Sequence, residues 1–201
     1  MIDRYKNPAI DRIFSNENKV ALWQKTELAV LEARATHGEI TLASYNMLES
    51  ILLQNPVDIE KWLELEKSLR HDLNAFLQER LEHIPEHMVP YWHKGLTSYD
   101  TEEPAFARML ISAVEVVLKE AISLERTLIR LAKEHRHTPM MAVTHGQRAE
   151  LQTFGKRNLT WLADLRVSIE QLREAARKLH YSKLSGAVGG YTGIDAELER
   201  T

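Results

Sequence analysis

The 201-residue chain contains no cysteine, which excludes disulfide frameworks, thiol nucleophiles and cysteine-ligated metals. An excess of positive charge is also missing, because 26 lysines and arginines face 29 aspartates and glutamates. We therefore expect no attraction to nucleic acid and none to an anionic membrane. No apolar run is long enough to span a bilayer, and the first twelve residues lack the apolar core of a signal peptide. A cytoplasmic location is the expectation.

Apolar residues make up 44% of the chain, which is enough for a sizeable core, and no segment alternates with the period of a strand. We expect an all-α fold. After an extended opening, Ser15, Asp58 and Asp72 stand where side-chain oxygens cap the N-termini of amphipathic helices. A further helix is expected from Leu42 to Leu53, before Pro56.

Two much longer helices follow in the second half of the chain. The first begins at Asp100 or Thr101 and runs for about 35 residues, or on the order of 50 Å; the second runs from about Phe154 to Tyr181. We predict that residues 1–100 form a small N-terminal helical domain and residues 101–201 the first part of a bundle of long antiparallel helices. The predicted apolar stripes are Phe106, Leu110, Ala113, Val117, Ala121, Leu124, Leu128 and Leu131, and Leu159, Leu162, Leu165, Ile169, Leu172, Ala176 and Leu179.

A polar segment, Thr138 to Arg157, is predicted to be a loop between these two helices. His145 stands there beside Gly146, so a ligand can approach the backbone while the imidazole transfers protons near neutral pH. The residues alone leave a second interpretation open, in which His145 is a solvent-exposed side chain without chemistry.

Two other segments contain residue types that are common in functional sites. His83, His87 and His93 suggest a metal site, but Pro85 disrupts the helix that would align the first two and no carboxylate pattern completes a ligand set. We therefore predict no metal site there, and a loop from Pro85 to Asp100. The glycine-rich segment 185–193 either presents backbone N–H groups to an anion or forms a flexible terminus.

Five stretches occur together in one order along nearly the whole chain, and they carry a resemblance to a known family. They are Arg4-Tyr5; Arg70-His71-Asp72; Leu96-Thr97-Ser98-Tyr99-Asp100; Thr144-His145-Gly146-Gln147 with Ala149-Glu150 and Thr153-Phe154-Gly155; and Lys183-Leu184-Ser185-Gly186-Ala187-Val188-Gly189. In this combination the chain resembles the N-terminal part of the adenylosuccinate lyases, which belong to the fumarase and argininosuccinate lyase superfamily.

The resemblance implies a β-elimination that releases fumarate from adenylosuccinate, leaving AMP, and from the analogous succinylcarboxamide intermediate of purine synthesis. It implies a small-molecule nucleotide substrate, no metal or organic cofactor, and a homotetramer whose active sites draw on several chains. His145 is the expected acid that protonates the departing nitrogen. The expected substrate-binding residues are Arg4 and Tyr5 for the nucleotide, Arg70, His71 and Asp72 lining the site with His71 near the phosphate, and Thr97 and Ser98 for a carboxylate.

The sequence departs from the family pattern at three places. Tyr99 stands where serine is usual, and Arg148 and Leu151 stand where proline is common. The flexible loop that carries the family's serine base does not occur within these 201 residues, so we expect them to be inactive alone. Two alternatives remain: a non-catalytic helical assembly module, and another fumarate-releasing lyase or cycloisomerase of the superfamily. The broad apolar stripes also predict self-association through residues 106–131 and 159–179.

Overall fold

The computed structural model describes residues 2–201, which divide into two compact units. The first comprises Met1–Leu110 with Leu179–Thr201, and the second comprises Ile111–Lys178. The domain division at residue 100 stays a prediction. The described residues contain no helix that is both long and apolar enough to cross a membrane.

The described chain is helical apart from one two-stranded sheet, which confirms the predicted all-α class. Short 3₁₀ helices occupy Asp3–Tyr5 and Glu86–Tyr91. The α-helices are α1 Pro8–Ile13, α2 Asn16–Thr36, α3 Leu42–Gln54, α4 Ile59–Leu69, α5 Asp72–Leu81, α6 Ser98–Glu134, α7 Phe154–Lys178 and α8 Ala196–Arg200, and the strands are β1 Pro139–Thr144 and β2 Gln147–Thr153.

Two of the three predicted helix caps are confirmed. The Ser15 hydroxyl accepts a hydrogen bond from the Asn18 N–H at 3.2 Å, and the Asp58 carboxylate accepts one from the Lys61 N–H at 3.1 Å. The third is wrong, because His71 is the N-cap of α5 and Asp72 is its first helical residue. The reason is that α4 ends at Leu69 and its C-cap, Arg70, has a left-handed conformation, which leaves His71 extended with its Nδ1 accepting the Asn74 N–H.

The sequence suggested an extended opening, but the structure shows two short helices there. The 3₁₀ helix is followed by α1, whose N-cap Asn7 accepts hydrogen bonds from the N–H groups of Ala9 and Ile10 at 3.0 and 3.3 Å. Pro8 occupies the first helical position, where its missing N–H costs nothing and its fixed φ angle favours the helix.

Aromatic side chains form the centre of the first unit's core. The Trp23 ring meets Trp62 and Phe76 edge to face, with centroids 6.0 and 5.7 Å apart. Leu48 and Leu73 beside them have no exposed surface. Helices α2 to α5 contribute most of this core, and the second 3₁₀ helix and the first part of α6 add Met88 and Ala105, so these elements pack as one body.

A buried charged group ties three of these helices together. The Arg80 guanidinium on α5 is fully buried and pairs with Glu79 next to it. It also donates to the Gln24 side chain on α2 at 3.2 Å and to the carbonyl of Asn55 after α3 at 2.5 Å. Because every contact is made inside the core, Arg80 is compensated for its loss of water.

The second unit contains α7 packed antiparallel to the part of α6 within that unit, as predicted. Near one end the Gly155 N–H donates to the His135 carbonyl at 2.9 Å, and farther along Arg166 on α7 reaches Glu125 on α6 at 2.7 Å. A Cβ on Gly155 would lie 2.6 Å from the Ala132 carbonyl oxygen, so only glycine permits this approach.

The predicted apolar stripes are only partly buried. Leu128 on α6, and Leu162 and Ile169 on α7, are buried as expected. Phe106 and Val117, placed on the α6 stripe, are 54% and 49% exposed; Leu124 and Leu159 are likewise exposed. A stripe defined by spacing marks a face of a helix, but it does not show which faces the same chain covers.

The segment predicted as a polar loop is a β-hairpin in its centre, which corrects the prediction. The strands β1 and β2 pair from Pro139↔Thr153 to Thr144↔Gln147 around a two-residue turn. Both turn residues, His145 and Gly146, have positive φ angles of 49° and 73°. Such a turn matches the twist of paired strands. The strands are largely exposed, so they carry little of the alternating apolar pattern that identifies strands.

The segment predicted as a loop from Pro85 to Asp100 also has more structure than expected. It contains the second 3₁₀ helix, and α6 begins at Ser98, before the predicted start. The Asp100 carboxylate reaches back to the Thr97 N–H at 2.9 Å. This is half of the reciprocal capping arrangement that fixes helix starts, and it explains the earlier start.

Candidate functional site

Two of the predicted stretches meet in the first unit. The Ser98 hydroxyl, at the first residue of α6, lies 3.2 Å from Nε2 of His71, the N-cap of α5. The two residues are 27 positions apart in sequence. Thr97 and Asp72 are their immediate neighbours, so the fold brings four of the predicted substrate-binding residues into one region.

The hydrogen bonds around His71 assign its tautomer. Nδ1 accepts the Asn74 backbone N–H at 3.4 Å, so the proton of the neutral ring lies on Nε2. Nε2 therefore donates to the Ser98 oxygen, which leaves the hydroxyl proton of Ser98 available to another acceptor. A carboxylate is an acceptor of the required kind.

Asp72 faces a cavity of about 570 Å³ in the first unit. Its carboxylate accepts a hydrogen bond from the Lys19 ammonium at 3.1 Å, and that ammonium also lies over the rings of Trp23 and Trp62. Aromatic and charged side chains therefore share the walls. The lining residues are Phe14, Lys19, Trp23, Asp72, Tyr99, Glu102, Glu103, Phe106 and Met109.

Glu102 is the acid in this cavity with a perturbed pKa. Burial raises the pKa of its carboxyl group above the usual value, and the negative charge of Asp72 raises it further. His71 and Lys19 act in the opposite direction and do not cancel these effects. A carboxyl group that holds its proton more tightly than usual, beside a cavity, is a candidate for proton transfer.

Two buried carboxylates hold the segment that carries Thr97 and Ser98. On one side, Glu27 on α2 accepts from the Thr101 hydroxyl at 2.6 Å and contacts Nδ1 of His93 at 2.7 Å. On the other side, Asp100 contacts the glycine-rich segment near the end of the chain. Both carboxylates have 1% or less of their surface exposed, so the segment is anchored at two points.

These anchors were not predicted from the sequence. Glu27 gave a usable signal, because it stands four residues after Trp23 and four before Leu31 on the apolar face of α2. A carboxylate on a buried face requires partners. His93 was considered only as a metal ligand; the structure pairs it with Glu27. Among residues 2–201, no group of three or more suitable side chains is arranged to hold a metal ion.

Of the remaining predicted residues, Arg70 directly precedes His71, and the other three lie elsewhere. Arg4 and Tyr5 are exposed in the first 3₁₀ helix, with the guanidinium 5.1 Å from the ring centroid. Within the described chain, neither makes a side-chain hydrogen bond to His71 or Ser98. Arg70 is exposed at the left-handed end of α4. His145 is exposed at the tip of the hairpin, in the second unit.

Comparisons with known proteins agree with the predicted resemblance. The family model described as "Lyase" matches residues 9–201. An adenylosuccinate lyase from Aquifex aeolicus is 36% identical over 200 residues, covering 100% of this chain and 46% of that protein. The adenylosuccinate lyase of Bacillus subtilis is 34% identical with the same coverage. The chain thus spans about half the length of the curated relatives it matches.

Solved structures show the same fold. The crystal structure of a fumarate lyase from a Mesorhizobium species superimposes with a TM-score of 0.89 at 22% identity, over 95% of this chain and 46% of the other. A β-carboxy-cis,cis-muconate cycloisomerase from Acinetobacter calcoaceticus gives 0.88 at 20% identity, with the same coverage. At these identities the likeness concerns the arrangement of helices alone.

Proposed function

Because the chain belongs to the lyase family, we propose that its residues form part of an active site that eliminates fumarate from adenylosuccinate, leaving AMP. We extend the proposal to the analogous succinylcarboxamide intermediate. The contact between Ser98 and His71 at 3.2 Å supports it most strongly. It joins two stretches that were assigned to the substrate separately, on sequence grounds.

The elimination breaks a C–N bond, so it needs a base for the Cβ proton and an acid for the departing nitrogen. We assign the acid to His145. Its position at the tip of a paired hairpin presents an exposed imidazole on a defined support. We propose that the ring acts at a site to which more than one chain contributes.

The substrate carries carboxylates and a phosphate, and the proposed binding residues suit these groups. Thr97 and Ser98 offer hydroxyl donors at the start of α6, where the helix dipole also favours a negative charge. With Nε2 of His71 donating to the Ser98 oxygen, the Ser98 hydroxyl proton is free to donate to a ligand. Arg4 and Arg70 are exposed guanidinium groups suited to phosphate or carboxylate, with Tyr5 and Asp72 beside them.

The test compares two histidine variants in the native protein by following fumarate release. We expect His145→Ala to lower kcat by about 10²- to 10⁴-fold, as removal of a general acid does. His71→Ala should lower kcat/KM through weaker substrate binding. The matched control is His180→Ala, which removes another exposed histidine that follows α7. Unchanged elimination rates in both His145→Ala and His71→Ala would contradict the assignment.

A second candidate reaction is elimination of fumarate from a different substrate within the superfamily. Tyr99 favours it, because this side chain lines the cavity beside Asp72 where the adenylosuccinate lyases usually have a smaller serine next to Ser98. A panel of fumarate-releasing substrates separates the two. Turnover of adenylosuccinate at a higher kcat/KM than any other member of the panel supports the first proposal.

A third candidate, a non-catalytic assembly module, is favoured by exposed apolar side chains on α6. Phe106, Val117 and Leu124 each expose about half of their surface, and burial of such area stabilises association. We propose self-association through residues 106–131 and 159–179. Sedimentation at micromolar concentration tests it, and a clean 23.2 kDa monomer that binds no hydrophobic dye would contradict it.

The assembly-module hypothesis and the lyase hypothesis predict different behaviour for the isolated 201-residue polypeptide. We propose that it associates but does not turn over substrate, because the resemblance assigns the base to a serine in a loop that these residues do not include. Full-rate fumarate release by the pure polypeptide would refute both its expected inactivity and the assembly-module hypothesis.

A further inference from the structure

The Asp100 side chain is the most fully satisfied carboxylate of the first unit. It has no exposed surface, although it carries a charge. Oδ1 accepts from the Lys183 ammonium at 2.8 Å and from the Ser185 N–H at 3.3 Å. Oδ2 accepts from the N–H groups of Thr97 at 2.9 Å and Gly186 at 3.0 Å. Four donors thus surround two oxygen atoms, which leaves no room for a substrate group.

These bonds connect two distant parts of the chain. Thr97 immediately precedes α6, whereas Lys183, Ser185 and Gly186 lie 83 to 86 residues beyond Asp100. A second contact supports the junction, because the Cα of Gly95 lies 3.4 Å from the Cβ position of Gly193. The glycine-rich segment is therefore packed against the segment that carries Thr97 and Ser98, rather than forming a flexible terminus.

We propose that Asp100 is a positioning residue for the substrate site, holding the Thr97 and Ser98 hydroxyls in place against segment 183–186. This inference rests on the function proposed above. Asp100 acts through its neighbours, since its own oxygens are occupied by protein donors.

The negative charge of Asp100 strengthens the hydrogen bonds that join the two segments. Burial raises the pKa of its carboxyl group, but the hydrogen bond from Lys183 and that from the Thr97 N–H outweigh burial, and the net pKa lies below the usual value. The carboxylate therefore stays ionised, and charge-assisted hydrogen bonds are roughly twice as strong as neutral ones. A carboxamide cannot replace it, because its NH₂ group would face an N–H donor or the ammonium.

The position of Ser98 affects His71 as well. The Ser98 oxygen accepts the Nε2 proton of His71, so a displacement of the start of α6 changes both groups at once. Misplacement of catalytic groups by about 1 Å can lower a rate by about 100-fold. A residue that never touches substrate can therefore influence kcat/KM strongly.

The experiment uses Asp100→Asn in the native protein, with Asp11→Asn, an exposed position on α1, as the matched control. We expect kcat/KM for fumarate release to fall about 100-fold in Asp100→Asn and to stay unchanged in Asp11→Asn. The ¹⁵N signals of the His71 ring should shift only in Asp100→Asn, measured where both variants are folded. A purely structural role would lower the melting temperature without moving those signals in the folded protein.

Lys183→Met provides a second variant in case Asp100→Asn does not fold. It removes one of four donors and leaves the three backbone N–H groups, so we expect the fold to persist and kcat/KM to fall about tenfold. Wild-type activity and unshifted His71 signals in this variant, or in folded Asp100→Asn, would overturn the inference and leave the proposed function standing. A wild-type protein that releases no fumarate from any substrate of the panel would overturn the proposed function itself.

Discussion

Replacement of Gly95 by alanine tests how tightly the junction between the two chain segments is packed. Gly95 has a φ angle of +74°, and a Cβ built on it would lie 1.9 Å from the carbonyl oxygen of Gly193. The obstructing oxygen is a backbone atom, so no flexible side chain can rotate away to make room for the new Cβ. The substitution therefore requires the two segments to separate.

The expected loss of stability has two parts. A left-handed conformation costs an L-residue about 1–2 kcal/mol, and overpacking at a close contact costs about 1–3 kcal/mol more. Reduced freedom of the unfolded chain offsets about 0.4–1 kcal/mol of this. We expect Gly95→Ala to lower the free energy of unfolding by about 3 kcal/mol.

Gly38 offers a matched control with nearly the same backbone conformation. Its φ angle is +77°, but nothing lies within 4 Å of the Cβ position. Gly38→Ala should therefore cost only about 1 kcal/mol, from the conformation alone. Urea denaturation followed by circular dichroism measures both. A Gly95→Ala protein no less stable than Gly38→Ala would show that the two segments are not in close contact.

Two further predictions concern charged groups. Arg80→Met removes the cation that compensates the buried Glu79 carboxyl group and leaves it the Asp58 N–H as its remaining donor, so urea denaturation should show a loss of about 3–5 kcal/mol. Arg130→Met at the exposed pair with Glu134 should change stability by less than about 1 kcal/mol. The pKa of Asp100 is lowered in the folded protein, because Lys183 and backbone donors outweigh burial. Its stabilising effect is therefore complete above the unfolded pKa of about 3.9 and lost as the pH falls through the lower folded pKa. The slope of unfolding free energy against pH in that acid range should decrease in Asp100→Asn; an unchanged slope would contradict the assignment.

The helices were predictable from the sequence because local rules determine them. Ser15 and Asp58 are caps whose oxygens satisfy N–H groups within three residues, so no distant part of the chain is needed to recognise them. His71 was missed as a cap because imidazole is a rare choice, and its neighbour Asp72 is a common one. The hairpin was missed because its strands are exposed and its turn uses His145 before Gly146.

The candidate site was predictable only in part. The stretches containing His71 and Ser98 were identified separately by resemblance, but their contact depends on how α5 and α6 pack. The anchoring carboxylates were harder to find. Asp100 has partners more than 80 residues away, and no local pattern reports such a separation. Buried polar residues of this kind become visible only when the partners of every buried group are known.

The first compact unit is discontinuous in the chain, and this affects the order in which a newly synthesised molecule can fold. Helices α2 to α5 share one aromatic core and are synthesised before the residues of the second unit. Asp100 emerges long before Ser185 and Gly186, and at ordinary synthesis rates the delay is on the order of 10 s. During that interval its carboxylate remains in water, where an ionised group is stable. The hydrogen bonds between Asp100 and segment 183–186 therefore form in a late step, after the core residues of α2 to α5 have been synthesised.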